Sequence, residues 1–202
     1  MICYVCFKRV AHCPGGFAGK ERTMFSRIKK EGHFTLSNGV KSNYDYDYAS
    51  VSDDMNSAYC NLLMRKLSDW QVHHGKFTIV VGLETEGIRI AYRLSQEMDL
   101  PFHVVPHNRV AFSQLPMPAI TGDPHFLIVD DIVTTGSSFV RAVNFLDIEE
   151  KPETVTFACM IRRDPSNLDY SAVQGDANKE QFLVPDERLD FIDKRLVSLF
   201  SE

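Results

Sequence analysis

Apolar residues recur along this chain in two alternating rhythms. From Asp53 to His73 they fall at helical spacing, at Met55, Ala58, Tyr59, Leu62, Leu63 and Leu67, with Asp53 as the predicted N-cap. "KFTIVVG" is then a short continuous apolar run, the pattern of a strand covered on both faces, and it stops at Gly82. The rhythm repeats with a helix over 86–99, where Ile88, Ala91, Tyr92, Leu94 and Met98 share a face, and a strand in "LPFHVV". A third strand in "HFLIVDD", a helix in "SSFVRAVNFLD", a fourth strand in "ETVTFACMI" and a closing helix over "DERLDFIDKRLVSLF" complete it. Strands alternating with helices predict an α/β fold, a mostly parallel sheet flanked by helices.

Composition narrows the function classes. At 202 residues with 44% hydrophobic content, one main domain can bury a proper core. A net charge of −5 provides no basic field for nucleic acid or an anionic membrane surface. Apolar runs of four or five residues cannot span a bilayer. The opening "MICYVCFKRVAHC" is short and lacks a basic n-region, so it is not read as a signal peptide, and a cytoplasmic protein is expected. The glycine-rich "PGGFAGKERT" marks a loop, dividing the chain into an N-terminal cysteine-containing extension, 1–22, and a main domain, 23–202. The extension holds Cys3, Cys6 and Cys13 in a C-x2-C-x6-C pattern with His12 beside the third. That set could bind Zn²⁺, with His12 or His33 as the fourth ligand, or form an N-terminal strand whose cysteines are small buried hydrophobes.

In a doubly covered parallel sheet, ligands bind beyond the carboxyl ends of the strands. The polar stretches fall there: "GLETEG", "PHNR", "DDIVTTGSS" and "RRDP" each follow a predicted strand. In "FLIVDDIVTTGSS", 126–138, Gly136 permits a tight turn, and successive backbone N–H groups at a helix start form a nest for one phosphate. The hydroxyls of Thr134, Thr135, Ser137 and Ser138 add donors without bulk. No G-K-[ST] follows, so this is not a Walker A loop. Asp130 and Asp131 cannot both lie uncompensated inside a buried strand, but at its mouth they can accept hydrogen bonds from a ribose 2′,3′-diol. An ordinary helix cap and a metal-binding acid pair are the plainer readings of the two halves taken singly.

That segment resembles the phosphoribosyl diphosphate (PRPP) motif of type I phosphoribosyltransferases. "HFTLSNGVKSNYDYDY", 33–48, is similar to the F-x-L-x-S-G-x-x-S stretch near the start of orotate phosphoribosyltransferases, and "VVGLETEG" and "MIRRDP" follow in the family's order. The resemblance spans Phe34 to Arg163 and implies the type I phosphoribosyltransferase fold. It also implies transfer of ribose 5-phosphate from PRPP to a nitrogenous base, orotate-like or another pyrimidine, with Mg²⁺ and release of pyrophosphate. By the same resemblance Asp130 and Asp131 hold the ribose, and Thr134, Thr135, Gly136, Ser137 and Ser138 hold the 5′-phosphate. Glu84, Thr85 and Lys41 fall beside the diphosphate, and Thr134, Tyr46 and Arg163 beside the base, Arg163 where orotate enzymes place an arginine on the base carboxylate. A homodimer is implied as well.

Three departures concern the leaving group. The mobile basic loop of orotate enzymes is here "VVPHNRVAFSQLPMP", leaving His107 and Arg109 either as substitutes in catalysis or, the plainer reading, as ordinary surface-loop residues. The lysine and serine of the early L-K-S-G are Ser37 and Asn38. The diphosphate loop carries Glu84 and Glu86; a helix N-terminus accounts for Glu86, but nothing in the sequence accounts for Glu84. A non-catalytic protein binding PRPP or a nucleotide for regulation is therefore the alternative function, with hydrolysis or transfer on another ribosyl phosphate a third.

Overall fold

The computed structural model of the protein describes residues 2–3, 8–9, 27–36, 39–106, 122–148, 154–164, 168–169 and 186–201. In chain order the elements are β1 (Ile2–Cys3), β2 (Lys8–Arg9), β3 (Lys29–Thr35), β4 (Lys41–Tyr46), α1 (Asp53–His74), β5 (Ile79–Leu83), α2 (Glu86–Met98) and β6 (Phe102–Val105). There follow β7 (Phe126–Val133), α3 (Ser137–Leu146), β8 (Val155–Arg162), β9 (Leu168–Asp169), α4 (Asp186–Arg195) and β10 (Leu196–Ser201).

Five strands form the central sheet in the order β10-β8-β7-β5-β6, and every neighbouring pair is parallel. The pleat sends alternate side chains to opposite faces. Val80 packs with Leu63, Leu67, Ile90 and Leu94 from α1 and α2, whereas Ile79, Val81 and Leu83 pack with Phe139, Val143 and Ile192 from α3 and α4. This two-sided burial is why the strands read as unbroken apolar runs, and the predicted architecture is the observed one.

Helix α1 differs from expectation at its start. Its N-cap is Ser52, whose hydroxyl accepts the Met55 N–H at 3.4 Å, so Asp53 and Asp54 are first-turn acids favoured by the helix dipole. Its buried stripe, Asn56, Tyr59, Cys60, Leu63 and Leu67, keeps the predicted spacing. The chain's end also differs: α4 stops at Arg195, and Leu196–Ser201 is a strand parallel to β8 at the sheet edge. In "LVSLF" the burial alternates, with Val197 and Leu199 in the core, a period of two that the helical reading absorbed. Lys66 Nζ on α1 donates to the carbonyls of Ser198 and Leu199, at 2.8 and 3.0 Å, tying the edge strand to the helix beneath it.

A second sheet, β3-β4-β9, is antiparallel and was not foreseen as strands. Gly39, at φ 83°, closes its hairpin through a 2.8 Å bond to the Leu36 carbonyl. Tyr44 and Tyr46 carry this sheet into the α1–α2 core, edge to face at 5.7 Å. At the amino end β1 and β2 form a two-residue antiparallel ladder that includes Cys3. Cys6, His12 and Cys13 lie outside the described residues, and no group of three or more His, Cys, Asp or Glu placed to hold a metal occurs among the described ones, so Zn²⁺ has no support. Among the described residues no helix is long and apolar enough to cross a membrane.

Candidate active site

The central sheet changes direction between β5 and β7: β6 lies outside β5 on one side, and β7, β8 and β10 extend on the other. Loops diverge at such a point and leave a crevice at the carboxyl edge. Here it is a cleft of about 280 Å³ lined by Glu84 and Thr85 after β5, by Asp130–Ser138 on β7 and the following turn, by Arg141 on α3 and by Leu36 beyond β3.

The two acids lie within β7 rather than past it, because the strand keeps its pairing with β8 through Val133. Asp130 is 7% exposed, and its Oδ1 accepts the Asp131 N–H at 3.0 Å. Burial, and then the neighbouring Asp131 charge, push the Asp130 carboxyl well above the usual carboxylate range, while Arg141 pulls it down. Burial also raises Asp131, with Asp45 adding to the rise and hydrogen bonds opposing it. The pair is thus a costly arrangement that a bound ligand can relieve.

Gly87 makes the approach of α2 to these acids feasible. A Cβ there would stand 2.7 Å from the Val129 carbonyl oxygen and 3.0 Å from Asp130 Cα. Beyond the acids, Gly136 takes φ 74° and opens α3 at Ser137. Thr135 Oγ1 donates to Ser137 Oγ at 3.1 Å, and the N–H groups of Phe139 and Val140 both donate to the Gly136 carbonyl. The first amides of a helix have no acceptors within it, so α3 leaves the amides of Gly136–Ser138, residues that line the cleft, without an acceptor of its own. Arg162 fixes the turn from behind: Nη1 donates to the Thr134 carbonyl at 2.6 Å and Nη2 pairs with Asp193 of α4 at 2.8 Å.

The structure therefore brings together Asp130, Asp131, Thr134, Thr135, Gly136, Ser137, Ser138, Glu84 and Thr85. It separates the two glutamates. Glu86 pairs with Arg89 at 3.3 Å, one turn along α2, while Glu84 lines the cleft. Three expected residues stand elsewhere. Lys41 is exposed and lines a different cleft, of about 320 Å³, with His33, Phe34, Thr35, Ser42, Asn43 and Asp169. Tyr46 is 5% exposed and belongs to the core, because its strand position faces α1 and α2. Arg163 is 1% exposed and turned into the antiparallel sheet: Nη2 donates to Ser42 Oγ at 2.6 Å and the Tyr44 carbonyl at 2.8 Å, and Nη1 meets Asp45 Oδ1 at 3.4 Å. His107 and Arg109 lie outside the described residues. Sequence reasoning missed Arg141, Arg162, Gly87 and Leu36. Arg141 had a signal, since it stands four residues after Ser137 and so shares its helix face.

This arrangement has counterparts among known proteins. Residues 58–184 match the phosphoribosyl transferase domain family. The chain belongs to that family of glycosyl-transferring enzymes. It is 29% identical over 138 residues to a protein of Pyrococcus abyssi named orotate phosphoribosyltransferase, an alignment spanning 67% of this chain and 74% of that one. A protein of the same name from Maricaulis maris is 27% identical over 142 residues, 69% of this chain and 71% of the relative. Among solved structures, orotate phosphoribosyltransferase from Aeropyrum pernix superposes with a TM-score of 0.57 at 22% identity, covering 89% of this chain and 92% of the other. UMP synthase of Leishmania donovani gives a TM-score of 0.58 at 18% identity, over 93% of this chain but 36% of the other. At these identities the superpositions show the fold, which is the expected type I phosphoribosyltransferase fold.

Proposed function

We propose that the protein transfers ribose 5-phosphate from PRPP to a nitrogenous base and releases pyrophosphate. The observation that carries this reading is the adjacency, in one cleft, of paired carboxylates and a helix-opening turn of small hydroxyl residues. In this reading the 5′-phosphate lies on the Gly136–Ser138 amides and the Thr134, Thr135, Ser137 and Ser138 hydroxyls, and the ribose diol on Asp130 and Asp131. The ring nitrogen of the base bonds to C1′ as the C1′–O bond breaks. The bonding pair leaves with the pyrophosphate oxygen, and the ring N–H proton passes to pyrophosphate or water. The transition state is cationic at the sugar, so the acids that grip the diol also stabilise the developing positive charge. The relatives named orotate phosphoribosyltransferase point to a pyrimidine acceptor.

Asp130, Asp131 and Glu84 line one cleft without forming a three-ligand metal group, so Mg²⁺ would arrive with the diphosphate and take one or two of their hard oxygen donors. Bound there it would neutralise diphosphate charge, with most of its ligands coming from the substrate and water, as Mg²⁺ prefers. His107 and Arg109 are proposed to meet the departing pyrophosphate, and a cytoplasmic homodimer is the proposed working form. The test is release of pyrophosphate from PRPP and Mg²⁺ with a panel of bases, alongside calorimetric binding of PRPP. Turnover with one base supports transfer. Glu84 in the cleft favours a second reading, a regulatory protein that binds PRPP or a nucleotide without transfer; binding with no turnover for any base would select it.

A further inference from the structure

The arginine that the orotate resemblance assigns to a base carboxylate is already engaged. Arg163 donates from Nη2 to Ser42 Oγ and the Tyr44 carbonyl, and Nη1 lies 3.4 Å from the Asp45 carboxylate. Its guanidinium carbon stands 4.5 Å from the centre of the Tyr44 ring, so one face is covered too. A substrate carboxylate is gripped by two parallel N–H donors of a guanidinium. Three of its five N–H groups are committed and Nε has no partner among the described residues; both N–H groups of Nη2 are taken, and either fork of the guanidinium needs Nη2.

The carboxylate that Arg163 does meet is Asp45. Its side chain is 43% exposed, so it reaches solvent while holding Arg163, and it lies close enough to Asp131 for its charge to act on that carboxyl. Arg163 also anchors this corner to the cleft through its backbone, since its N–H donates to the carbonyl of Val133, a cleft residue, at 2.9 Å. With Asp131 engaged by the ribose, a base brought beside this corner would meet Asp45 as an acceptor carboxylate and an arginine already neutralised. An anionic base would be repelled there and would leave its carboxylate unpaired. A base with N–H groups on its edge finds acceptors.

We propose that the acceptor is an uncharged, amino-bearing nucleobase rather than a carboxylated one, and that Asp45 sets this preference by engaging Arg163 and accepting a hydrogen bond from the base. The proposal rests on the transfer reading above and specifies its substrate. It assigns Arg163 a structural role, joining the two sheets, in place of substrate recognition.

The test uses the full chain, PRPP and Mg²⁺, with orotate, uracil, cytosine, adenine and guanine as acceptors, and PRPP binding measured separately by calorimetry. Expected is turnover with an amino-bearing base and a kcat/KM for orotate at least about a hundredfold lower, since a site built around a polar contact rejects partners that cannot make it by 10⁴ or more. Asp45→Asn should narrow that ratio about tenfold or more, by a change in the KM for the base with little change in the KM for PRPP. Orotate as the preferred acceptor of the unaltered protein would overturn the proposal and leave phosphoribosyl transfer standing. An Asp45→Asn variant, folded by circular dichroism, with unchanged base selectivity would remove Asp45 from the assignment and overturn it likewise. PRPP bound without turnover of any base would overturn it and select the regulatory reading, and failure to bind PRPP would defeat both.

Discussion

Substituting Gly87 by alanine offers a direct test of how the paired acids are held. The added Cβ would lie 2.7 Å from the Val129 carbonyl oxygen, 3.0 Å from Asp130 Cα and 3.3 Å from Asp130 Oδ1. Ordinary carbon–oxygen contacts are no closer than about 3.3 Å, so α2 and β7 must separate by about 0.6 Å. Both are backbone obstacles in a two-sided core, where forced overpacking costs about 1–3 kcal/mol. For a domain of this size that corresponds to a fall in Tm of about 2–12 °C. The same displacement moves Asp130, and since a 1 Å error near reacting groups can cost about a hundredfold, PRPP affinity should fall about tenfold. Thermal melts monitored by circular dichroism and calorimetry with PRPP and Mg²⁺ read the two effects separately. Gly122→Ala is the control: it has φ 89° but nothing within 4 Å of its added Cβ, so it should lose about 1 kcal/mol to backbone strain without losing affinity. A Gly87→Ala protein with native Tm and native affinity would refute the packing argument, and one that loses stability alone would refute the link from α2 to the acids.

Three shorter expectations follow from the same contacts. Arg162→Met removes the donor to the Thr134 carbonyl, so PRPP affinity should fall about tenfold while circular dichroism stays native, and Asp193→Asn, which only loosens Arg162, should cost less; an unchanged affinity in Arg162→Met would mean that the hydroxyl turn holds its shape unaided. His125 is buried, donates or accepts at Thr156 Oγ1 over 3.0 Å, and its pKa is lowered from 6.5 first by burial and then by Arg195 and His74; burial lowers His103 also. A depressed base favours its neutral form in the fold, so stability is full above pH 6.5 and declines as pH falls below it; Tm measured at pH 7.5 and 5.5 should drop on acidification, and less so in His125→Gln. Asp130 is raised, so folding favours its protonated form and its ionisation opposes stability increasingly as pH rises above 3.8; Asp130→Asn should raise Tm most at alkaline pH while abolishing PRPP binding, and a destabilised Asn variant would contradict the assignment.

Much of this was legible because two-sided burial writes itself plainly. The apolar runs of β5, β7 and β8 and the helical stripe of α1 are each dictated by a single neighbour layer, and they emerged where expected. The turn at 134–138 was legible for a different reason: glycine at a left-handed position and hydroxyls at a helix start are local requirements. Local rules failed where partners are distant. "LVSLF" continues the helical count of α4 and becomes a strand because β8 offers an unpaired edge. Arg163 looks like a free cation in the string "RRDP", and only the fold brings Ser42, Tyr44 and Asp45 around it from 118 to 121 residues away. Its neighbour Arg162, which looks equivalent, instead braces the turn at 134–138.

That division between the two arginines bears on why the site keeps an unfavourable acid pair. A buried carboxylate beside another is destabilising until a cation or a set of hydroxyl donors arrives, and among the described residues no close basic partner within the cleft removes the strain on Asp130; Arg141 only moderates it. Had Arg162 or Arg163 turned toward Asp130, the pair would be neutralised and the fold more stable, but the cleft would then hold no deficit for the proposed ribose ligand to satisfy. Both arginines are spent on framework instead, one on the Thr134 carbonyl and Asp193, the other on Asp45 and the antiparallel sheet. Under the proposed function the residual acidity at Asp130 and Asp131 is then available as binding energy, and under the proposed specificity the acidity at Asp45 as discrimination among bases. Stability lost at the carboxyl edge of β7 is offset by the unbroken apolar layers on either side of it, which is why two adjacent acids can stand in a strand that is otherwise apolar.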